Sequence, residues 1–251
     1  MRLLNIDIET APNTAHVWGL FKQNIGINQL LNTGRVMCFA AKWYGEKKIE
    51  FRSEFHDGTE LMIQRAWELL DEADAVLSYN GKRFDMPTLN REFLKYQHQP
   101  PAPYKHVDLL ETAKREFRFA SNKLDHLSKE LGIGEKVRHE GHDLWIQCMA
   151  GDASAWSRMR KYNRQDVVLV EELYERLRPW IKSHPNHAMF RDDHDTVCTN
   201  CGSDNLQSRG FAVTRTQKYR RFQCQDCGTW MRTRYTEASV EKRRATLIQE
   251  S

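Results

Sequence analysis

The sequence predicts an α/β domain whose mixed sheet is flanked by helices, followed by a small C-terminal module that depends on a metal ion. Three strand patterns precede alternating helix and strand patterns, and this order is typical of a mixed sheet. Two Cys-x-x-Cys pairs near the C terminus predict the second module. A chain of 251 residues can bury one sizeable core and carry a small module beside it.

Apolar periodicity and turn residues place the elements in order. Strands are predicted over 3–9, 35–44, 48–55, 74–79 and 106–110. Helices are predicted over 58–72, after residue 85, over 122–132 and over 154–180. Buried strand positions are predicted for Cys38 and Cys148. We therefore expect a first domain over 1–182, a polar linker over 183–195, the module over 196–236 and a charged tail over 237–251.

The first strand carries two acids on one face. Asp7 and Glu9 are two residues apart and share a face, whereas Ile6 and Ile8 point the other way into a core. Two neighbouring carboxylates repel each other unless a cation lies between them. The pattern therefore indicates a metal site, although an exposed acidic strand end would show it too.

Two further fragments carry polar residues at the ends of apolar patterns. Asp85 follows a short apolar strand and the Asn80–Gly81 turn, near a helix N terminus that favours a carboxylate. A helix-capping aspartate is the alternative. Tyr162 and Asp166 lie one helical turn apart and project together. They begin a stripe of apolar residues, and an amphipathic helix reaching solvent would also show this pattern.

Together these motifs resemble the DEDD superfamily of 3′→5′ exonucleases, which have a ribonuclease H-like fold. Asp7 and Glu9 match its Asp-x-Glu motif, Asp85 matches the acid after an Asn-Gly-x-x-Phe loop, and Tyr162 with Asp166 matches Tyr-x-x-x-Asp. The four-residue spacing marks the tyrosine subclass; the histidine subclass has histidine where this chain has Lys161.

The resemblance implies a catalytic role for the matched residues. Two Mg²⁺ or Mn²⁺ ions would be held by four carboxylates, those of Asp7, Glu9, Asp85 and Asp166. Tyr162 would orient the attacking water, and Asn80 and Phe84 would contact the nucleic acid. The implied activity is hydrolysis of terminal phosphodiesters with release of nucleoside monophosphates.

The C-terminal cysteines are spaced as zinc ligands. One structural Zn²⁺ would be bound by Cys198, Cys201, Cys224 and Cys227. Two strand patterns lie between the pairs, over 210–215 and 219–223, and the whole resembles a zinc ribbon. Disulfides are the alternative, but no secretory signal or membrane-spanning segment is visible. We therefore expect an intracellular, cytoplasmic protein that makes no membrane contact.

Positive charge is concentrated in this module. Residues 196–251 contain ten Lys or Arg and five Asp or Glu, a net charge of +5, whereas the whole chain has +4. Nucleic-acid contacts are predicted for Arg215, Lys218, Arg220 and Arg221, which alternate with aromatic residues. A solvated surface whose aromatics fill the module's own core is the alternative.

Three functions remain compatible with the sequence. The favoured one is a DNA 3′→5′ exonuclease acting on single strands or frayed ends, with a replication or repair protein as a further partner. An exoribonuclease would use the same chemistry, because the acids contact phosphate and metal and not the sugar. A non-catalytic zinc-ribbon protein that binds nucleic acid is the third. A zinc ribbon joined to a tyrosine-subclass nuclease also resembles an arrangement of phage-encoded exonucleases.

Overall fold

The computed structural model describes residues 1–137 and 140–249, and the chain divides into two compact units. The first unit comprises Arg2–Tyr174. The second contains Met1 together with the chain from Glu175 onward. Each unit has a sheet of its own.

A mixed five-stranded sheet forms the centre of the first unit. The strands of this unit are β1 (Leu3–Thr10), β2 (Thr14–Ala15), β3 (Leu30–Asn32), β4 (Val36–Trp43), β5 (Glu50–Ser53), β6 (Ala75–Ser78) and β7 (Lys105–Asp108). The sheet order is β5-β4-β1-β6-β7, with β1 antiparallel to β4 and parallel to β6. β2 and β3 form a separate antiparallel pair, which the sequence did not predict.

Helices lie along the chain between and after these strands. They are α1 (Thr59–Asp71), α2 (Asp85–Lys95), α3 (Leu109–Glu116), α4 (Leu124–Glu130), α5 (His142–Met149) and α6 (Ala153–Leu177). α3 and α5 were not predicted. α3 follows β7 without a loop, and the Asp108 side chain caps it by accepting the N–H of Leu110 at 3.0 Å. Cys148 is buried as predicted, but it lies on α5 and not on a strand.

The two faces of β1 pack against different helices. Leu4, Ile6 and Ile8 join a core that includes buried residues of α1 and α2. On the opposite face, the Asn5 side chain donates a 2.7 Å hydrogen bond to the carbonyl oxygen of Val167 on α6. The predicted mixed sheet flanked by helices is therefore confirmed, with the acidic face of β1 turned toward α6.

The second unit contains a three-stranded antiparallel sheet. Its strands are β8 (Leu206–Val213), β9 (Lys218–Cys224) and β10 (Trp230–Arg232), in the order β10-β9-β8. The third strand was not predicted. Helix α7 (Val240–Arg244) lies in the segment expected as a charged tail, of which residues 250 and 251 are outside the described part of the chain.

The segment predicted as a linker, 183–195, has local structure of its own. It contains a 3₁₀ helix over His187–Phe190, which the Asn186 side chain caps by accepting the N–H of Ala188. The N–H of His187 donates to the Thr199 carbonyl oxygen at 2.8 Å. Within residues 1–137 and 140–249, no helix combines the length and apolar character that crossing a lipid bilayer requires.

Candidate active site

Three carboxylates from distant parts of the chain meet on the acidic face of β1. One oxygen each from Asp7, Glu9 and Asp166 lie within 4.8 Å of one another. β1 supplies the first two, and α6 brings Asp166 against them. The Asn163 side chain, also on α6, donates to the Asp7 backbone oxygen at 3.2 Å and to its Oδ2 at 2.7 Å. These two bonds hold the Asp7 carboxylate in place relative to α6.

Asp85 lies beside this group but is not one of the three. It is the first residue of α2, is 4 % exposed, and accepts the backbone N–H of Ile8 on Oδ1 at 3.1 Å. That hydrogen bond attaches Asp85 to the stretch of β1 between Asp7 and Glu9. The fourth acid predicted from the sequence therefore borders the cluster, tied to the same strand.

Gly81 allows this approach. A Cβ atom at Gly81 would lie 2.5 Å from Ser78 Oγ, 2.6 Å from Ser78 Cβ and 3.3 Å from Asp85 Oδ2. Contacts below 3.0 Å force a neighbour to move, and β6 holds Ser78 in the sheet. The absence of a side chain at position 81 is therefore what lets the loop pass between β6 and Asp85.

The loop before α2 is fixed by a buried acid. Asp108 accepts the backbone N–H of Asn80 at 2.9 Å and that of Lys82 at 3.2 Å, in addition to capping α3. Asn80 has a φ of 69°, a left-handed conformation that asparagine tolerates better than most residues. Phe84, which ends the loop, keeps 46 % of its surface exposed next to Asp85. Asn80 thus shapes the loop, while Phe84 is an exposed apolar residue that directly precedes Asp85 in the chain.

A lysine that the sequence did not indicate enters the acidic cluster. Lys136 Nζ lies 2.5 Å from Asp166 Oδ2 and 3.3 Å from the Tyr162 hydroxyl, to which it donates. Its ammonium is also 5.2 Å from the centre of the Tyr162 ring. Tyr162 is itself 8 % exposed on α6, one turn before Asp166. Lys136 lies in an irregular stretch without periodicity, so no sequence pattern marked it.

The carboxylates are held in an environment that disfavours their negative charge. Some surface of Asp7 and Glu9 stays accessible, but protein surrounds most of each carboxyl group. Burial, together with the charge of Asp85 and the other acids, raises the pKa of Asp7. Burial, and then Asp166, raises the pKa of Glu9 to about 8. Burial raises the pKa of Asp85 to about 6.

The same surroundings keep Tyr162 protonated. Burial and the negative charges of Asp166, Glu9 and Asp7 raise the pKa of the Tyr162 phenol well above its usual value of 10. A phenol in this state donates a hydrogen bond and does not accept a proton as a base. Tyr162 can therefore orient a water or a phosphate oxygen without titrating near neutral pH.

The donor set of the cluster fits a divalent cation. Several carboxylate oxygens face one another in a region where charge is costly, and one ammonium offsets only part of that charge. Mg²⁺ and Mn²⁺ prefer hard oxygen ligands of this kind. Asp7, Glu9 and Asp166 are placed to bind one such ion, and Asp85 borders the group through its hydrogen bond with the Ile8 N–H.

An open hollow lies beside Thr10, the last residue of β1. Its volume is about 450 Å³, and it is lined by Thr10, Pro12, Gly141, His142 and Trp145. Thr10 directly follows Glu9, and the Trp145 ring packs edge-on against Tyr162 at 6.0 Å between centroids. The lining of the hollow therefore includes the residue that follows Glu9 in the chain and a ring that packs against Tyr162.

Four cysteine sulfurs form a separate cluster in the second unit. The Sγ atoms of Cys198, Cys201, Cys224 and Cys227 all lie within 4.8 Å of one another. The Cys198–Cys227 separation is 3.5 Å and the Cys201–Cys224 separation is 3.6 Å. A disulfide requires about 2.05 Å, whereas a tetrahedral zinc with Zn–S near 2.3 Å separates its sulfurs by about 3.8 Å. The cluster is consistent with a small zinc-binding domain and not with disulfides.

The basic residues predicted to contact nucleic acid are distributed over different surfaces of this unit. Arg215 is exposed in the turn between β8 and β9. The side chains of Lys218 and Arg220 lie over the Phe211 ring, 3.8 Å and 4.4 Å from its centre. Arg221 points to the other face of the sheet, toward Trp230. The structure therefore brings Lys218 and Arg220 together and separates Arg221 from them.

Comparison with known families agrees with this fold. A family model described as RNase_H superfamily matches residues 26–178, which is more than half of the chain. The matched range includes Asp85, Tyr162 and Asp166, whereas Asp7 and Glu9 precede it. Comparison with curated proteins gives no match.

Proposed function

The chain belongs to the ribonuclease H superfamily, and we propose that it is a 3′→5′ exonuclease of the DEDD tyrosine subclass acting on DNA. Membership in this superfamily indicates a metal-dependent nuclease whose substrate is nucleic acid. The observation that carries the more specific proposal is the meeting of Asp7, Glu9 and Asp166 within 4.8 Å, with Asp85 hydrogen-bonded to the same strand. The substrate would be a single strand or a frayed end, and the products nucleoside monophosphates.

Asp7, Glu9, Asp85 and Asp166 would hold two Mg²⁺ or Mn²⁺ ions. Such ions lower the pKa of bound water and stabilise the leaving oxygen of a phosphodiester. The protein supplies the ligands at fixed positions: Asn163 orients Asp7, and the Ile8 N–H orients Asp85. Ligands held in this way lose little freedom when they bind a cation.

Other residues of the cluster would act on the substrate directly. The protonated Tyr162 hydroxyl would donate a hydrogen bond that orients the attacking water or the phosphate. Lys136 would place a positive charge beside the same phosphate, since its ammonium reaches both Tyr162 and Asp166. The hollow lined by Thr10 and Trp145 is of a size to receive the terminal nucleotide, and Phe84 would contact the preceding base.

We propose the second unit as a zinc ribbon that binds one structural Zn²⁺ and assists in holding the strand. The proposed organisation is a nuclease domain over 1–182, a connecting segment over 183–195, the ribbon over 196–236 and a charged tail over 237–251. All four cysteine ligands come from the chain, which leaves no coordination position for catalysis. Arg221, together with Arg215 in the turn between β8 and β9, is proposed for contact with phosphates.

The decisive experiment follows the products from each end of an oligonucleotide. Matched DNA and RNA strands, labelled at the 5′ or the 3′ end, are incubated with the protein and Mg²⁺ or Mn²⁺. A 3′→5′ exonuclease releases a labelled mononucleotide at once from 3′-labelled DNA, whereas 5′-labelled DNA shortens stepwise. Preferred degradation of the RNA strand would replace DNA by RNA as the substrate.

Two variants and one control assign the activity to the cluster. Asp7→Ala and Asp166→Asn are expected to abolish nucleotide release, because each removes a carboxylate of the proposed metal site. Glu60→Gln, which neutralises an exposed acid in the first turn of α1, is expected to keep full activity. Undiminished release by both purified cluster variants would exclude the proposed active site.

A further inference from the structure

The sheet of the second unit has two faces of different character. Side chains alternate along β9, so Lys218, Arg220 and Cys224 lie on one face, while Tyr219 and Arg221 lie on the other. The first face carries a cysteine ligand, and we call it the cysteine face. The second is called the arginine face and is formed by Arg209, Tyr219, Arg221, Trp230 and Arg232.

Cross-strand register brings the members of the arginine face together. Arg232 is paired with Arg221, and Trp230 with Gln223, so all project to the same side of the sheet. The chain bulges between Ser208 and Phe211, next to Gly210 with a φ of 71°. Arg209 in this bulge donates to the side-chain oxygen of Gln223 at 3.1 Å, which places it on the same face.

Guanidinium groups on this face lie against aromatic rings. Arg209 and Arg221 both lie over the Trp230 ring, 5.6 Å and 5.9 Å from its centre. Arg232 lies 3.8 Å from the centre of the Tyr219 ring. Trp230 nevertheless keeps 50 % of its surface exposed. The face thus presents three cations and a large accessible ring at a distance that suits cation–π contact.

The two faces differ in how their charge is balanced. On the cysteine face, Arg220 forms a bidentate ion pair with Glu237, with N–O distances of 2.9 and 3.0 Å. On the arginine face, no carboxylate of the described residues lies within 4.0 Å of Arg209, Arg221 or Arg232. β8, β9 and β10 contain no acidic residue at all. One of the two basic side chains of the cysteine face is therefore paired with an acid, whereas none of the three arginines of the other face has such a partner among the described residues.

We infer that the arginine face binds single-stranded nucleic acid. Its guanidinium groups would contact successive phosphates, and a base would stack on the accessible side of Trp230. A single strand offers both phosphates for the guanidinium groups and unpaired bases for Trp230. In a duplex the bases are stacked on one another, so their faces cannot reach the Trp230 ring. This inference rests on the proposed function in one respect only, the choice of nucleic acid as the polymer that the protein processes.

Neighbouring arginines on opposite faces provide a matched test. Binding of a fluorescent 20-nucleotide strand is measured with the full-length, zinc-loaded protein carrying Asp7→Ala, so that the strand stays intact. Arg221→Gln/Arg232→Gln removes two charges from the arginine face, and Lys218→Gln/Arg220→Gln removes two from the cysteine face. The first pair is expected to raise Kd about tenfold or more and to reduce the salt slope by about 1.4, or roughly 0.7 per phosphate contact. The second is expected to raise Kd less than about threefold, because Arg220 is already paired with Glu237 and Lys218 lies over the Phe211 ring on the opposite face of the sheet.

The ring is tested separately. Trp230→Ala is expected to raise Kd about tenfold without changing the salt slope, and Trp230→Phe to bind within about threefold of the unsubstituted protein. Zinc content and thermal unfolding are measured for each variant, and Trp230→Phe covers the case in which Trp230→Ala fails to fold. The inference would be overturned if the two double variants raised Kd equally or if the arginine-face pair left Kd unchanged. Equal affinity for duplex and single strand would overturn it as well.

A small substrate separates this inference from the proposed function. Hydrolysis of the p-nitrophenyl ester of thymidine 5′-monophosphate reports on the carboxylate cluster without needing a polymer. If the protein with its cluster intact hydrolyses this ester while the arginine-face variants bind the strand normally, the inference fails and the nuclease stands. If the protein with its cluster intact does not hydrolyse the ester, and only the arginine-face variants lose affinity for the strand, the nuclease proposal fails and the inference about the arginine face stands.

Discussion

Lys136 Nζ lies 2.5 Å from Asp166 Oδ2, so an ammonium of the chain itself occupies part of a carboxylate cluster suited to divalent metal. The Asp166 side chain in this pair is 4 % exposed and that of Lys136 is 28 % exposed. Removing one partner of such an ion pair lowers the free energy of unfolding, because the other partner remains charged where little water reaches it.

Lys136→Met is expected to destabilise the magnesium-free protein by about 1–3 kcal/mol, since the buried Asp166 loses its cation. Urea unfolding measures the change. Lys129→Met serves as the control, because Lys129 pairs with Asp125 on an exposed surface and is expected to cost less than about 1 kcal/mol. Addition of Mg²⁺ should narrow the difference between Lys136→Met and the unsubstituted protein. Equal effects of the two substitutions would show that Lys136 does not compensate the cluster.

Asn163→Leu is expected to raise the Mg²⁺ concentration needed for half-maximal activity by about 10- to 100-fold, because Asp7 loses the donor that orients it. Asn5→Leu is the comparison, since Asn5 bonds the backbone of α6 and no carboxylate. That variant should lower thermal stability while leaving the Mg²⁺ requirement unchanged. A Mg²⁺ titration of activity distinguishes the two, and identical curves for Asn163→Leu and the unsubstituted protein would contradict the positioning role.

Gly81→Ala is expected to reduce activity about 10- to 100-fold, because the new methyl group would press on Ser78 and displace Asp85. Ser78→Gly removes the Cβ and Oγ atoms that lie within 3.0 Å of the new methyl group. As a single substitution, it should retain much of the activity. The double variant Gly81→Ala/Ser78→Gly should recover activity relative to Gly81→Ala. Steady-state nucleotide release measures all three, and a fully active Gly81→Ala would refute the steric explanation.

Metal-free stability is expected to depend on pH through Glu9. The folded protein holds this carboxyl with a pKa of about 8, against 4.5 for an ordinary glutamate. Between these values the folded state binds a proton that the unfolded state has released, so the free energy of unfolding falls as pH rises from about 4.5 to about 8. Thermal unfolding without Mg²⁺ across this range measures the slope. Glu9→Gln should flatten it, and an equally steep decline in that variant would assign the effect to other groups.

Cys224→Ser is expected to abolish stoichiometric zinc and to unfold the ribbon, since small metal-bound modules obtain most of their folding free energy from the ion. Cys148→Ser is the matched control, because Cys148 is buried on α5 of the first unit and is not one of the four clustered cysteines. Zinc released from the denatured protein and quantified with a chromogenic chelator gives the readout. One zinc per chain in both variants would exclude the four-cysteine site.

The parts of the site that could be predicted from the sequence depend on local periodicity. The alternation of Asp7 and Glu9 with Ile6 and Ile8 is a property of one strand, and burial of both isoleucines confirms it. The stripe that begins with Tyr162 and Asp166 is likewise a property of one helix. The strand boundaries follow for the same reason, with differences of at most four residues.

The parts that could not be predicted depend on contacts between distant segments. Lys136 is one of many lysines until the fold brings it to Asp166, and Asn163 is an ordinary helical polar residue until it meets Asp7. α3 was missed because Asp108 ends a strand and caps a helix at once, leaving no turn between them. Cys148 was placed on a strand because a short apolar run does not distinguish a strand from a short helix.

Asn5 on β1 donates a hydrogen bond to α6, and Asn163 on α6 donates one to Asp7 on β1. These two bonds connect β1 with α6. Ribosomal synthesis delivers β1 before α6, which follows the other helices and strands of the first unit. A nascent chain therefore carries Asp7 and Glu9 without the third carboxylate of the cluster. The carboxylate cluster is therefore complete only after the segment that forms α6 has been synthesised and has packed against β1.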